Sequence, residues 1–138
     1  MSNFKVKSDQ NKRAADFLIN NHEQACWPTV IHSSYYSCLL LIRHKLIYGN
    51  YYTVEQIKEQ ENLLGKGTNG TVVYLATTAM GEKISKYQKE FNNFNEFIHQ
   101  LTQIRTVSDY YDQPVDQPLA KKALDLCNKI NVITNKLM

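Results

Sequence analysis

The sequence predicts an all-α fold, an antiparallel bundle of about five helices, and three observations carry that prediction. Chain breakers are few, with three prolines and five glycines in 138 residues. Most of them gather at Trp27-Pro28, at Gly65 to Gly70 and at Pro114 to Pro118, which leaves long uninterrupted stretches between. Within those stretches apolar residues recur at spacings of three and four, the period of a helix face, whereas an all-β chain needs many more turn signals.

The elements follow in chain order. Residues 1–9 are polar and are expected to form a flexible N-terminal segment ahead of a single helical domain over residues 10–138. The first helix is expected from about Ser8 to Gln24, with Ser8 or Asp9 as its cap and Ala14, Ala15, Leu18, His22 and Ala25 at helical spacing. Pro28 suits the first turn of a second helix, where its missing N–H removes nothing, and Gly49-Asn50 suits its end near Tyr48. Ile31, Tyr35, Cys38, Leu39, Ile42 and Leu46 form the strongest apolar stripe in the chain and mark the centre of the core. Thr53-Val-Glu-Gln56 resembles a capping box and opens a short helix through about Leu64.

After the break at Gly65-Lys-Gly67, Thr68 is a candidate cap for a helix from Asn69 to Met80. Thr71 to Leu75 has strand propensity, but a lone strand has no partner elsewhere in the sequence, so this segment too is read as helix. A long helix from about Ser85 to Val107 carries Tyr87, Phe91, Phe94, Ile98, Leu101 and Arg105 on one face. Asp112 to Gln117 is a loop, and Pro118 starts a last helix with Leu119, Ala123, Leu126, Ile130, Ile133 and Leu137 on its inner face.

Composition limits the function classes. Hydrophobic residues make up 43% and charged residues 21%, an ordinary globular balance. A net charge of +3 permits a nucleic-acid partner without requiring one. Met1 to Asp9 lacks the apolar core of a signal peptide, and the longest apolar run, Cys38 to Ile42, falls far short of the roughly 20 residues that span a bilayer. No membrane association is expected. Cys26, Cys38 and Cys127 are odd in number and far apart, so they read as free thiols of a reducing, cytoplasmic compartment.

Neither a metal nor a cofactor is expected. The four histidines, His22, His32, His44 and His99, lie singly, with His32 and His44 far apart on the second helix, and form no ligand pair at helical spacing. Gly65-Lys-Gly67-Thr-Asn-Gly70 spells G-x-G-x-x-G, but no strand precedes it, so it reads as a helix connection and not a dinucleotide loop. Two clusters carry the candidate chemistry. In His32 to Leu41, Tyr35 and Tyr36 pack the bundle with their hydroxyls at its rim. In Ile104 to Asp112, Arg105 and Asp109 stand one turn apart if the helix persists. They read either as an ordinary ion pair or as a guanidinium placed, beside phenols, to bind phosphate.

At these clusters the sequence resembles the HEPN family, helical domains named for nucleotide binding in prokaryotes and higher eukaryotes. Tyr35-Tyr36-Ser37-Cys38-Leu39 is similar to the family's Tyr-Tyr-Ala segment with its apolar run. Thr68-Asn69 stands where a Thr-His segment opens the family's middle helix, with asparagine for histidine. Arg105-Thr-Val-Ser-Asp109-Tyr110 matches Arg-x-x-Ala-Asp-Tyr with serine for alanine. The resemblance spans roughly residues 10 to 137 in order and spacing. It implies a module of a stress, defence or toxin–antitoxin system that works as a homodimer with a nucleotidyltransferase partner and associates with RNA or a nucleotide.

The resemblance makes Arg105, Tyr35 and Tyr36 candidate nucleotide- or RNA-binding residues, and Arg105, Asp109 and Tyr110 candidate catalytic ones. An enzyme of this kind would be a metal-independent endoribonuclease. Its usual signature is a histidine four to six residues after the arginine, since cleavage through the 2′-hydroxyl needs a group that titrates near neutral pH. Those positions hold Asp109, Tyr110 and Tyr111 here, which counts against cleavage. His99 is expected to point about 120° away from Arg105. The alternative function is a non-catalytic protein–protein interaction domain.

Overall fold

The computed structural model describes residues 3–20, 27–111 and 114–138. Among them the chain is all-α, with six helices and no strand. These are α1 (Asn3–Asn20), α2 (Trp27–Tyr48), α3 (Val54–Leu64), α4 (Gly67–Gly81), α5 (Ile84–Tyr110) and α6 (Gln117–Leu137). Thr71 to Leu75, the stretch with strand propensity, lies inside α4, where Thr71, Val72 and Leu75 are buried.

Local chemistry explains most of the ends. The Thr53 hydroxyl accepts from Gln56 N at 3.1 Å, and the Gln56 side chain accepts from Thr53 N at 2.9 Å, so the capping box is complete. Asp116 caps α6 by accepting from Leu119 N at 3.0 Å, one residue before Gln117 and two before Pro118. The first helix differs from its sequence expectation. It begins at Asn3, so residues 3–9 are helical, and Ser8 is no cap. Its hydroxyl is buried and donates to Ser37 O of α2 at 2.7 Å. The interface made this serine structural: a short polar side chain lets two helices approach closely and still finds an acceptor. Ala15 and Ile19 are the buried apolar residues of α1, while Ala14 faces solvent. His22, Ala25 and Cys26 lie outside the described residues.

Helix α2 is the axis of the core and touches α1, α4, α5 and α6. All six residues of its predicted stripe are buried. Against them pack Val72, Leu75 and Met80 of α4, Phe94, Ile98 and Leu101 of α5, and Ala123, Cys127 and Ile130 of α6. Full burial of each large apolar side chain stabilises by about 1.5–3 kcal/mol, so this contiguous cluster sets which faces turn inward. Helix α5 holds one non-helical residue, Tyr87 (φ −124°, ψ 39°), and is otherwise continuous through Arg105 to Tyr110. Among the described residues no helix is long and apolar enough to cross a membrane.

Candidate functional site

The turn between α3 and α4 prepares one wall of the site. Gly65 ends α3 in the left-handed conformation (φ +62°), donating its N–H to Glu61 O at 3.1 Å. Gly67 begins α4 at φ +73°, so the turn needs glycine twice within three residues. Thr68 does not cap α4 as its position suggested. Its hydroxyl donates instead to Glu61 Oε1 at 2.8 Å, and Lys66 at the N-cap makes no side-chain cap bond. The first turn of α4 therefore carries its partial positive charge with no side-chain acceptor at the N-cap.

That first turn, from Gly67 to Gly70, lines a cleft of about 800 Å³. The facing wall is α5, through Asn95, Ile98, His99, Thr102 and Arg105, and Tyr35 of α2 contributes beside them. Lys66 stands at the rim, exposed, with its ammonium 5.8 Å from the centre of the Tyr74 ring. Among the described residues that line the cleft there are two fixed cations, Lys66 and Arg105, and no carboxylate.

Arg105 is held on several sides. Its guanidinium carbon lies 5.1 Å from the Tyr35 ring centre and 5.7 Å from that of Tyr110, within cation–π range of both. Its Nε is 3.0 Å from Asp109 Oδ2, yet this buried nitrogen makes no aligned hydrogen bond. The contact is an electrostatic one between partly buried groups, with side-chain exposures of 19% and 26%. Burial raises the Tyr35 phenol above its ordinary value; Arg105 opposes this, Tyr36 adds to it, and the Thr102 and Asn69 side chains oppose it by hydrogen bonding. Tyr35 is thus a neutral hydroxyl at physiological pH, able to donate but unfit as a base.

The remaining sequence candidates sit on the other side of Arg105. Tyr36 does not line the cleft. It packs edge-on to Tyr35 at 5.5 Å and against the His32 ring at 4.6 Å. His32 Nδ1 lies 3.9 Å from Asp109 Oδ2, so the carboxylate stands between an imidazole and a guanidinium. Tyr110 is 70% exposed and covers the outer face of Arg105.

Two expectations about histidine change. His99 and Arg105 are indeed about 120° apart on α5, but each stands about 60° to one side of Thr102, which is central to the wall. A cleft this wide takes in both, so His99 belongs to the site. His32, read in sequence as isolated, reaches the Arg105–Asp109 pair because α2 and α5 are in contact. Sequence reasoning also missed Lys66, Asn69 and Thr102 as cleft residues. The G-x-G-x-x-G stretch was the available signal: although no strand precedes it, it still presents a helix N-terminus to the cleft. No family model, no curated protein and no solved structure matches the chain.

Proposed function

We propose that the protein is a HEPN-like helical module that binds RNA or a nucleotide through phosphate, within a stress, defence or toxin–antitoxin system. One observation carries the proposal. Arg105, Lys66 and the first turn of α4 converge on a single cleft that no carboxylate lines among the described residues. A guanidinium supplies paired donors to phosphate oxygens, an ammonium adds a point charge, and a helix N-terminus favours an anion. The neutral Tyr35 hydroxyl and the Asn69 and Thr102 side chains can complete the oxygen contacts.

Binding, not cleavage, is the proposed activity. Arg105 is shared with Asp109, Tyr35 keeps its proton, and no histidine follows Arg105 at the spacing of the family's ribonucleases. The homodimer and the nucleotidyltransferase partner implied by the resemblance belong to the same proposal, and light scattering of the purified chain reads the first of them.

The test is titration of a labelled RNA, without divalent metal, at low and moderate salt, with gel analysis of the same samples for scission. Wild type is expected to bind more weakly as salt rises, because phosphate contacts release counterions. Arg105→Ala is expected to lose about tenfold or more while the helical content stays unchanged. Salt-independent binding that ignores Arg105 overturns the proposal. A second reading, a protein-interaction domain, is favoured by a shallow apolar hollow of Phe97, Ile133 and Val132, the last 67% exposed. Failure of wild type to bind RNA, nucleotide or phosphate at all selects that reading.

A further inference from the structure

The cleft does not end where the phosphate contacts end. His99 and Thr102 also line a second hollow of about 400 Å³ that continues along α5. Its other residues are Gln103, Thr106, Val107 and Tyr111. Tyr111 has left the helix, with extended backbone (φ −103°, ψ 143°), and its ring is 59% exposed. A second exposed ring, Tyr74 of α4, 45% exposed, does not itself line the cleft but lies 5.8 Å from the ammonium of Lys66, which does. One exposed aromatic ring therefore neighbours Lys66 of the cationic cleft, and another lines the hollow that shares His99 and Thr102 with it.

We infer that Tyr111 and Tyr74 are stacking platforms for unpaired bases on either side of the bound phosphate, so that the ligand is a single-stranded nucleic acid lying across the cleft. The inference rests on the phosphate-binding proposal above and adds the state of the strand and the two rings that read it. An exposed aromatic ring offers a free face for stacking, and every base presents a π-face of matching size. A positive groove that follows the backbone, with aromatic side chains where bases fall, is how single strands are held without dependence on sequence. In a duplex the bases are stacked on each other and their faces are closed, so neither ring gains a partner. Gln103, exposed on the wall of the second hollow, offers an amide to the edge of the base stacked on Tyr111.

The experiment compares a short labelled single-stranded RNA, single-stranded DNA and the RNA duplex by fluorescence anisotropy, with adenosine monophosphate and inorganic phosphate as competitors. The proteins are wild type, Tyr111→Ala, Tyr74→Ala, Tyr111→Phe and Arg105→Ala, each checked by circular dichroism. Both rings are exposed, so their removal is expected to leave the fold intact. The expected result is preference for single strands over duplex, a loss of about tenfold or more for each alanine variant, and recovery in Tyr111→Phe, since stacking needs the ring and not the hydroxyl. Inorganic phosphate should compete equally well against wild type and Tyr111→Ala. Duplex binding as tight as that of the single strand, or a mononucleotide binding as tightly as the strand, overturns the inference. So does unchanged affinity in both alanine variants while Arg105→Ala still loses binding, and that pattern leaves the phosphate site standing. No binding of phosphate or nucleic acid by wild type brings down the phosphate site itself.

Discussion

Asp109 Oδ2 lies 3.0 Å from Arg105 Nε and 3.9 Å from His32 Nδ1, so one carboxylate serves two basic groups from different helices. Because Asp109 does not line the cleft, it holds Arg105 from behind and lowers the positive charge offered to a ligand. Removing it frees the guanidinium. Asp109→Ala is therefore expected to tighten RNA or phosphate binding several-fold at low salt, while Arg105→Ala weakens it. An i,i+4 pair of this kind contributes about 0.3–0.5 kcal/mol, so the stability change should be small in both variants. Equal small stability losses with no change in binding would mark the pair as purely structural.

Leu39 is 4% exposed and Ile42 wholly buried at the middle of α2, where the helix meets several others. Leu39→Ala leaves a cavity that close-packed neighbours refill only in part, and should cost about 2–5 kcal/mol in urea unfolding. A loss below about 1 kcal/mol would show that this face is not the packed one.

The capping box at the start of α3 gives a smaller and independent test. Thr53→Ala removes the acceptor for Gln56 N and should cost about 1 kcal/mol, with little effect on ligand binding. Because α3 buries Ile57 and little else, that helix depends on local hydrogen bonding more than its neighbours do.

Cys38 and Cys127 are buried where α2 meets α6, and the Cys38 thiol donates to Cys127 O at 3.7 Å. Burial and the neighbouring Cys127 push the Cys38 thiol well above its ordinary value, so it is inert in the native state. Titration with a thiol reagent should find these two groups unreactive until denaturant is added, and all three cysteines of the sequence free afterwards. A bridge between any two of them would contradict the expected reducing compartment.

The raised phenol of Tyr35 gives a pH dependence of definite sign. The unfolded chain loses this proton at a lower pH than the folded chain, so the unfolded state gains relative stability as pH rises through about 10. The stabilising share of Tyr35 is complete below that range and is lost above it. Thermal melts of wild type should fall more steeply above about pH 10 than those of Tyr35→Phe; parallel curves would show that the phenol is not held in its neutral form.

Much of the architecture was legible because it is written in local periodicity. The α2 stripe, the box at Thr53-Gln56 and the inner face of α6 each depend on residues within a few turns, and each stands in the structure as read, save that Leu119 of α6 is only partly buried. Ser8 shows the limit: serine favours a helix cap by local chemistry, but its partner, Ser37, sits on another helix. The Arg105–Asp109 contact was legible for the same reason as the stripe, being one turn of one helix.

The cleft itself lay beyond that range. The sequence by itself determined that helices form, where most of them stop and which faces are apolar, since hydrogen bonding, capping and hydrophobic period act over a few residues. Only the tertiary structure decided that the first turn of α4 faces Thr102 of α5, that His99 shares a wall with Arg105, and that His32 reaches Asp109. Those meetings depend on the relative rotation of packed helices, which the summed burial of many side chains sets and no single spacing in the chain records.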